Sequence, residues 1–219
     1  MPEAPIARFK VMGFHVNVRP GFLMLCAVYL LLGLSRKDPL WSIASFAAIV
    51  FVSIVVHELG HALMCRRLKV RVSDVEIHGF GGHVMSAQTT ARNQFLISIA
   101  GPGAGLSIGL PMLIPFLMMD LPPVAEVVVG QIVWVNVGWS LVNLIPMKPL
   151  AGGQAFHSIM DMYTDARQAA YITGVLGLIL GIVIAVVGWQ VGAVFLAIIG
   201  VYVAYNNFQA IQRSQRAFR

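Results

Sequence analysis

Between Arg167 and Arg213 the chain carries no charged side chain. That stretch is long enough for two membrane-crossing helices of about 20 residues each, with Gly188-Trp189-Gln190 as the expected turn between them. A water-soluble core cannot hide so much apolar surface. Composition points the same way. Of 219 residues, 58% are hydrophobic and 11% charged, where a soluble domain carries roughly a quarter charged. The chain reads as a polytopic membrane protein.

Six apolar segments are expected, at about 20–34, 41–64, 93–119, 124–146, 168–187 and 189–207. The first is short for a full span. The positive-inside rule then sets orientation. With both termini cytoplasmic, only Arg36 and Lys37 of the 15 basic residues face outward, while the inside collects Arg66, Arg67, Lys69, Arg71, Lys148, Arg167, Arg213, Arg216, Arg219 and the rest. The net charge of +6 is explained by this topology and not by a nucleic-acid partner. No cleavable leader is expected, because the first apolar span begins only after Pro20. Cys26 and Cys65 both fall in apolar segments and imply no disulfide framework.

Two stretches are not helix-like. Phe9, Val11, Phe14, Val16 and Val18 alternate with polar residues around Met12-Gly13, the period of a short β-hairpin over about 1–19. Val70, Val72, Val75 and Ile77 alternate likewise before Gly79-Phe80-Gly81-Gly82, giving two short strands over 70–86 with a glycine-rich turn. The fold class is all-α and membrane-embedded, with about six spans and these membrane-associated strands. One domain covers 1–219: the hairpin, a first set of spans over 20–146, then a further segment and two final spans over 147–219. Gly101, Gly105 and Gly109, like Gly177 and Gly181 or Gly188 and Gly192, recur every fourth residue, which lets helices approach closely in lipid.

The second span ends in His57-Glu58-Leu59-Gly60-His61. On a helix, His57 and His61 lie one turn apart on one face, about 6 Å along the axis. Two imidazoles there can share one zinc ion, and Glu58 sits beside it as general base without needing to ligate. Packing alone is a weak explanation for three ionisable groups in an apolar span, where each is costly and usually functional. The pattern is that of a zinc metallopeptidase with one Zn2+ per chain.

In this setting the HELGH segment resembles the first signature of the site-2 proteases. That family's second signature is Asn-x-x-Pro followed by Leu-Asp-Gly-Gly, and Asn143-Leu144-Ile145-Pro146 with Leu150-Ala151-Gly152-Gly153 is similar to it. Gly81-Gly82, Ala100-Gly101-Pro102 and Gly13 to Val18 add to the likeness, which covers about Gly13 to Met160. The resemblance implies cleavage within the transmembrane segment of a membrane-anchored protein, and the short chain suits a prokaryotic inner membrane. An edge strand of the 70–86 sheet would hold the unwound substrate by strand addition. Asn143 would donate to substrate backbone or oxyanion, or else bond across helices. The partners are this substrate and the bilayer; assembly with a second copy stays open.

One position departs. The family's third zinc ligand is the aspartate of Leu-Asp-Gly-Gly, and here Ala151 stands there. Cys65 lies about 12 Å from His57 along the helix and is a packing residue. His157, and less so Asp161, follow on the next helix as substitute candidates; His78 and His83 read as surface residues. The chain is then an active protease with a rearranged third ligand, an inactive relative that binds membrane partners, or an enzyme altered to be inactive. Intact Glu58 argues against long-standing loss of function, since an unused carboxylate in a span is costly. A metal or proton transporter is the more distant reading, as is an HExxH protease acting on soluble loops.

Overall fold

The computed structural model describes residues 4–78 and 81–216. Gly79 and Phe80 of the expected turn, the first three residues of the expected hairpin segment, and Arg219 lie outside them. The elements run β1 (Ala7–Val11), β2 (Phe14–Val18), α1 (Gly21–Ser35), α2 (Leu40–Arg67), β3 (Val72–His78), β4 (Gly81–Ser86), α3 (Ala91–Met118), α4 (Pro123–Val133), a π-helical turn (Trp134–Gly138), α5 (Trp139–Asn143), α6 (Ala151–Tyr163), α7 (Ala166–Gln190) and α8 (Val194–Arg216). Among the described residues, five helices are long and apolar enough to cross a membrane: α2, α3, the composite Pro123–Asn143, α7 and α8. The first expected span, α1, has 15 residues; at 1.5 Å per residue it reaches about 22 Å, short of a hydrocarbon core of about 30 Å. The chain is an integral membrane protein.

Two compact units form. The first runs to Gln88 and takes in Ala100–Leu141; the second is Thr89–Ile99 with Val142–Arg219.

In the first unit both predicted strand pairs join one four-stranded sheet, in the order β1-β2-β3-β4. The hairpin turns at Met12 and Gly13, with φ of 51° and 93°, the positive values a tight two-residue hairpin requires. Parallel pairing of β2 with β3 sets Val16 opposite Val75 and Val18 opposite Ile77. Alternation sends these four to one side, where they are buried with Phe22 of α1 and with Ile54 and Ala62 of α2. Burying each such aliphatic stabilises by about 1.5–3 kcal/mol, so the sheet is held against the stretch of α2 that carries HELGH. Arg66 fastens the hairpin tip to the end of α2: its guanidinium donates to the Met12 carbonyl at 2.9 Å and lies over the Phe14 ring. At the other end of α2, Gln131 of α4 bonds Ser42 and Ser45. The four-residue glycine spacing acts as expected here, with Gly105 against Ser140 and Gly109 against Val137 and Asn136.

In the second unit α7 and α8 pack along a seam of small residues, Gly181 against Ala204 and Gly188 against Ala197. The expected turn at Gly188-Trp189-Gln190 is corrected by this packing. Gly188 lies inside α7, which continues through Gln190, and the chain turns at Val191–Ala193. Gly192, with φ 71°, is the residue that ends the helix, and not part of the seam.

Candidate metal centre

α2 is helical from Leu40 to Arg67, so all of His57-Glu58-Leu59-Gly60-His61 lies in regular helix. The two histidines meet at their Nε2 atoms, 3.3 Å apart, with rings nearly perpendicular at 79°. A donor atom of Glu58 joins theirs, all within 4.8 Å of one another. His57 and Glu58 are 5% and 3% exposed, so this is a shielded cluster and not a solvated acidic patch.

The fit to a zinc ion can be tested on the spacing itself. Two nitrogens, each about 2.0–2.1 Å from one tetrahedral zinc, lie about 3.3–3.4 Å apart. The observed 3.3 Å meets that requirement. Neutral imidazole nitrogens are also suitable zinc donors. Two protein ligands fit; a third is not supplied at the family's position, where Ala151 stands.

Three close approaches shape the cluster. A side chain at Gly60 would meet the Ala100 carbonyl oxygen at 2.5 Å, so α3 crosses α2 at the HELGH turn only because this residue is bare. That crossing brings Gly101 over the histidines, where a Cβ would stand 2.2 Å from His61 Nε2 and 2.8 Å from His57 Nε2. From the sheet, Gly82 of β4 faces Glu58, where a Cβ would stand 2.2 Å from its Cγ. In the sequence Gly101 reads as a helix-packing residue and Gly82 as part of a turn, and both add to the family likeness. Neither position announces its neighbour, and only the fold shows that both abut the cluster. Gly101→Ala should therefore displace the histidines and lower zinc affinity by about 10–100-fold, the scale of a disturbed supporting residue. Competition with a chromophoric chelator would measure this, with helix content by circular dichroism as control.

Asn143, Ala151 and His157 belong to the second unit. Asn143 is buried at the end of α5. Ala151 is buried as the first residue of α6. His157 lies midway along α6, its Nδ1 3.4 Å from Thr173 Oγ1. Burial, with the Lys148 ammonium nearby, holds its imidazole below the ordinary value, and burial likewise lowers Lys148. Cys65 is fully buried on α2, as a packing residue should be. His83 is exposed on β4 and His78 half-buried on β3.

The sequence profile of peptidase family M50 matches residues 45–128. A zinc metalloprotease of Methanocaldococcus jannaschii is 24% identical over 204 residues, which is 93% of this chain and 60% of that protein. A Synechocystis relative is 32% identical over 124 residues, 56% of this chain and 33% of its own. The chain thus spans between a third and three-fifths of the length of these relatives. Among solved structures, the site-2 protease from Methanocaldococcus jannaschii superposes with a TM-score of 0.71 at 24% identity, covering 94% of each chain, and so shares the fold.

Proposed function

The chain belongs to the site-2 protease family, and from that premise we propose that it is an intramembrane zinc metalloprotease, hydrolysing a peptide bond in or near a transmembrane segment of a membrane-anchored protein. The observation that carries this reading is the convergence of His57 and His61 at 3.3 Å beside a buried Glu58. In this reading His57 and His61 hold one zinc. The ion, when bound, supplies Lewis acidity to the scissile carbonyl and makes water acidic enough to attack near neutral pH. Glu58 takes the proton from the attacking water at a carboxylate oxygen and passes it to the departing amine nitrogen. Asn143 donates its amide to the substrate carbonyl as negative charge develops there.

The substrate's path is supported by the sheet. Among the described residues β4 is an outer strand, paired on one side with β3. An extended peptide added to its open edge takes its backbone hydrogen bonds from β4 and runs beside the strand whose Gly82 abuts Glu58. A transmembrane helix must unwind to be cut, and this edge offers its peptide groups replacement partners at that moment. With the end of α2 on the cytoplasmic side, as Arg66, Arg67, Lys69 and Arg71 favour, cleavage would occur toward the inner face of a prokaryotic plasma membrane.

Ala151 weakens metal retention in this reading without removing the catalytic base. It also supports a second reading, a non-catalytic binder of transmembrane segments. Glu58→Gln separates them. In proteoliposomes with excess zinc and a membrane-anchored reporter, this variant should lose cleavage by about 10²–10⁴-fold, the range for a general base, and keep its fold. Undiminished cleavage would exclude Glu58 as base. Absence of cleavage in the parent and in Ala151→Asp alike would favour the binder.

A further inference from the structure

Asn207 is a polar residue in the middle of an apolar helix, α8, and is 1% exposed. A side-chain amide in a span is costly unless its groups are used. Its Nδ2 donates to two carbonyls: Val203, one turn back in α8, at 2.8 Å, and Lys148 at 2.9 Å. Both partners are acceptors, so only the amino end of the amide can face them. The first bond is local to the helix. The second reaches 59 residues back along the chain, to the segment between Asn143 and α6.

Among the described residues that segment forms neither helix nor strand. Its internal backbone bonds are short-range: Met147 to Ile145, Leu150 to Met147, and Gly153 to Leu150. On its inner side, Gly152 and Gly153 of α6 lie so close that a Cβ on either would meet the backbone of Leu144 or Met147 at 2.2–2.3 Å. The stretch is thus pinned between the start of α6 and the Asn207 amide. Across the seam Gly177 of α7 makes room: a Cβ there would stand 2.2 Å from Asn207 Oδ1. That oxygen has no hydrogen-bond partner among the described residues, and a glycine Cα–H directed at it is the weak donor such helix contacts often provide.

We propose that Asn207 is a positioning residue, which from the last span fixes the Lys148 carbonyl and thereby the backbone that leads into Ala151. The α7–α8 pair then serves the second motif as a scaffold as well as crossing the membrane. Its bearing on catalysis rests on the proposal that residues 143–153 serve the metal site.

The test is amide hydrogen exchange by mass spectrometry on the whole chain in detergent or nanodiscs. Asn207→Leu keeps the volume and removes the donor, leaving a buried carbonyl unpaired. Peptides covering 144–153 should exchange about tenfold faster, while peptides within α7 and α8 stay protected. Gly177→Ala should produce the same change by displacing the amide, and the double variant should add nothing, since both act through one contact. Asn206→Leu, whose amide among the described residues bonds the Tyr202 carbonyl, should change nothing. Unaltered exchange over 144–153 would overturn the proposal, as would equal loosening of α7 and α8, which would make Asn207 a helix–helix contact only. In an Ala151→Asp background, Asn207→Leu should also lower zinc affinity about tenfold. Failure of Ala151→Asp itself to gain zinc would sink the role of residues 143–153 and leave the exchange result to decide the clamp.

Discussion

An Ala151→Asp chain is expected to purify with close to one zinc per protein, and the parent chain with far less. Four-ligand zinc sites are worth about 10–16 kcal/mol at neutral pH, or about 2.5–4 kcal/mol per ligand. At about 1.4 kcal/mol per tenfold, a third protein ligand should raise affinity by about 10²–10³. The local structure can accept the carboxylate. Position 151 opens α6, a helix with no acidic residue in its first turn and no side-chain cap, and an aspartate there complements the helix dipole by about 0.3–1 kcal/mol. The position is also buried, so a carboxylate that found no cation would cost several kcal/mol. Thermal stability is therefore a second reading of the same variant. Zinc should raise its melting temperature well above its metal-free value, and the parent's only slightly. Elemental analysis of both chains decides the matter. Near-stoichiometric zinc in the parent would mean that another ligand completes the site, and His157 would be the next residue to change. No gain on Ala151→Asp would mean that the second motif does not serve the metal.

Much of this architecture is legible in the residues, and the rest fails for identifiable reasons. The charge-free run after Arg167 demands spans, and period-two alternation at Val16, Val18, Val75 and Ile77 demands strands with one buried side. The single sheet uniting them is a long-range pairing between residues 59 apart in sequence, beyond any local pattern. His57, Glu58 and His61 are visible because their spacing is the helix's own repeat. The turn after α7 is misplaced by a few residues because Gly188 looks like a breaker, and only its contact with Ala197 shows it to be interior. The π-helical turn at Trp134–Gly138 has no periodic signature; it becomes apparent only where Asn136 turns inward beside Gly109 while Trp134 stays exposed. Asn207 illustrates the same limit, since an asparagine in a span signals a bond without saying to what.

Gly82→Ala should abolish hydrolysis while sparing the metal. The added methyl would stand 2.2 Å from Glu58 Cγ, 2.5 Å from Cδ and 2.6 Å from Oε1. Glu58 is 3% exposed, so its side chain cannot yield by a small outward swing, and either the carboxylate leaves its rotamer or β4 retreats. Both outcomes separate the base from a peptide lying along the strand. A base misplaced by about 1 Å costs on the order of 10²-fold, and one removed costs up to about 10⁴-fold. The three atoms nearest this methyl all belong to Glu58, so zinc content should hold. Gly101→Ala predicts the reverse order, with zinc lost first, because its methyl meets His61 Nε2 and His57 Nε2. Measured together in the Ala151→Asp background, on a membrane-anchored reporter and by zinc analysis, the two glycines dissect the site. Loss of zinc from Gly82→Ala as deep as from Gly101→Ala would recast Glu58 as a metal ligand and not the base. Full activity in Gly82→Ala would remove both the base in this position and the β4 edge as the substrate's seat.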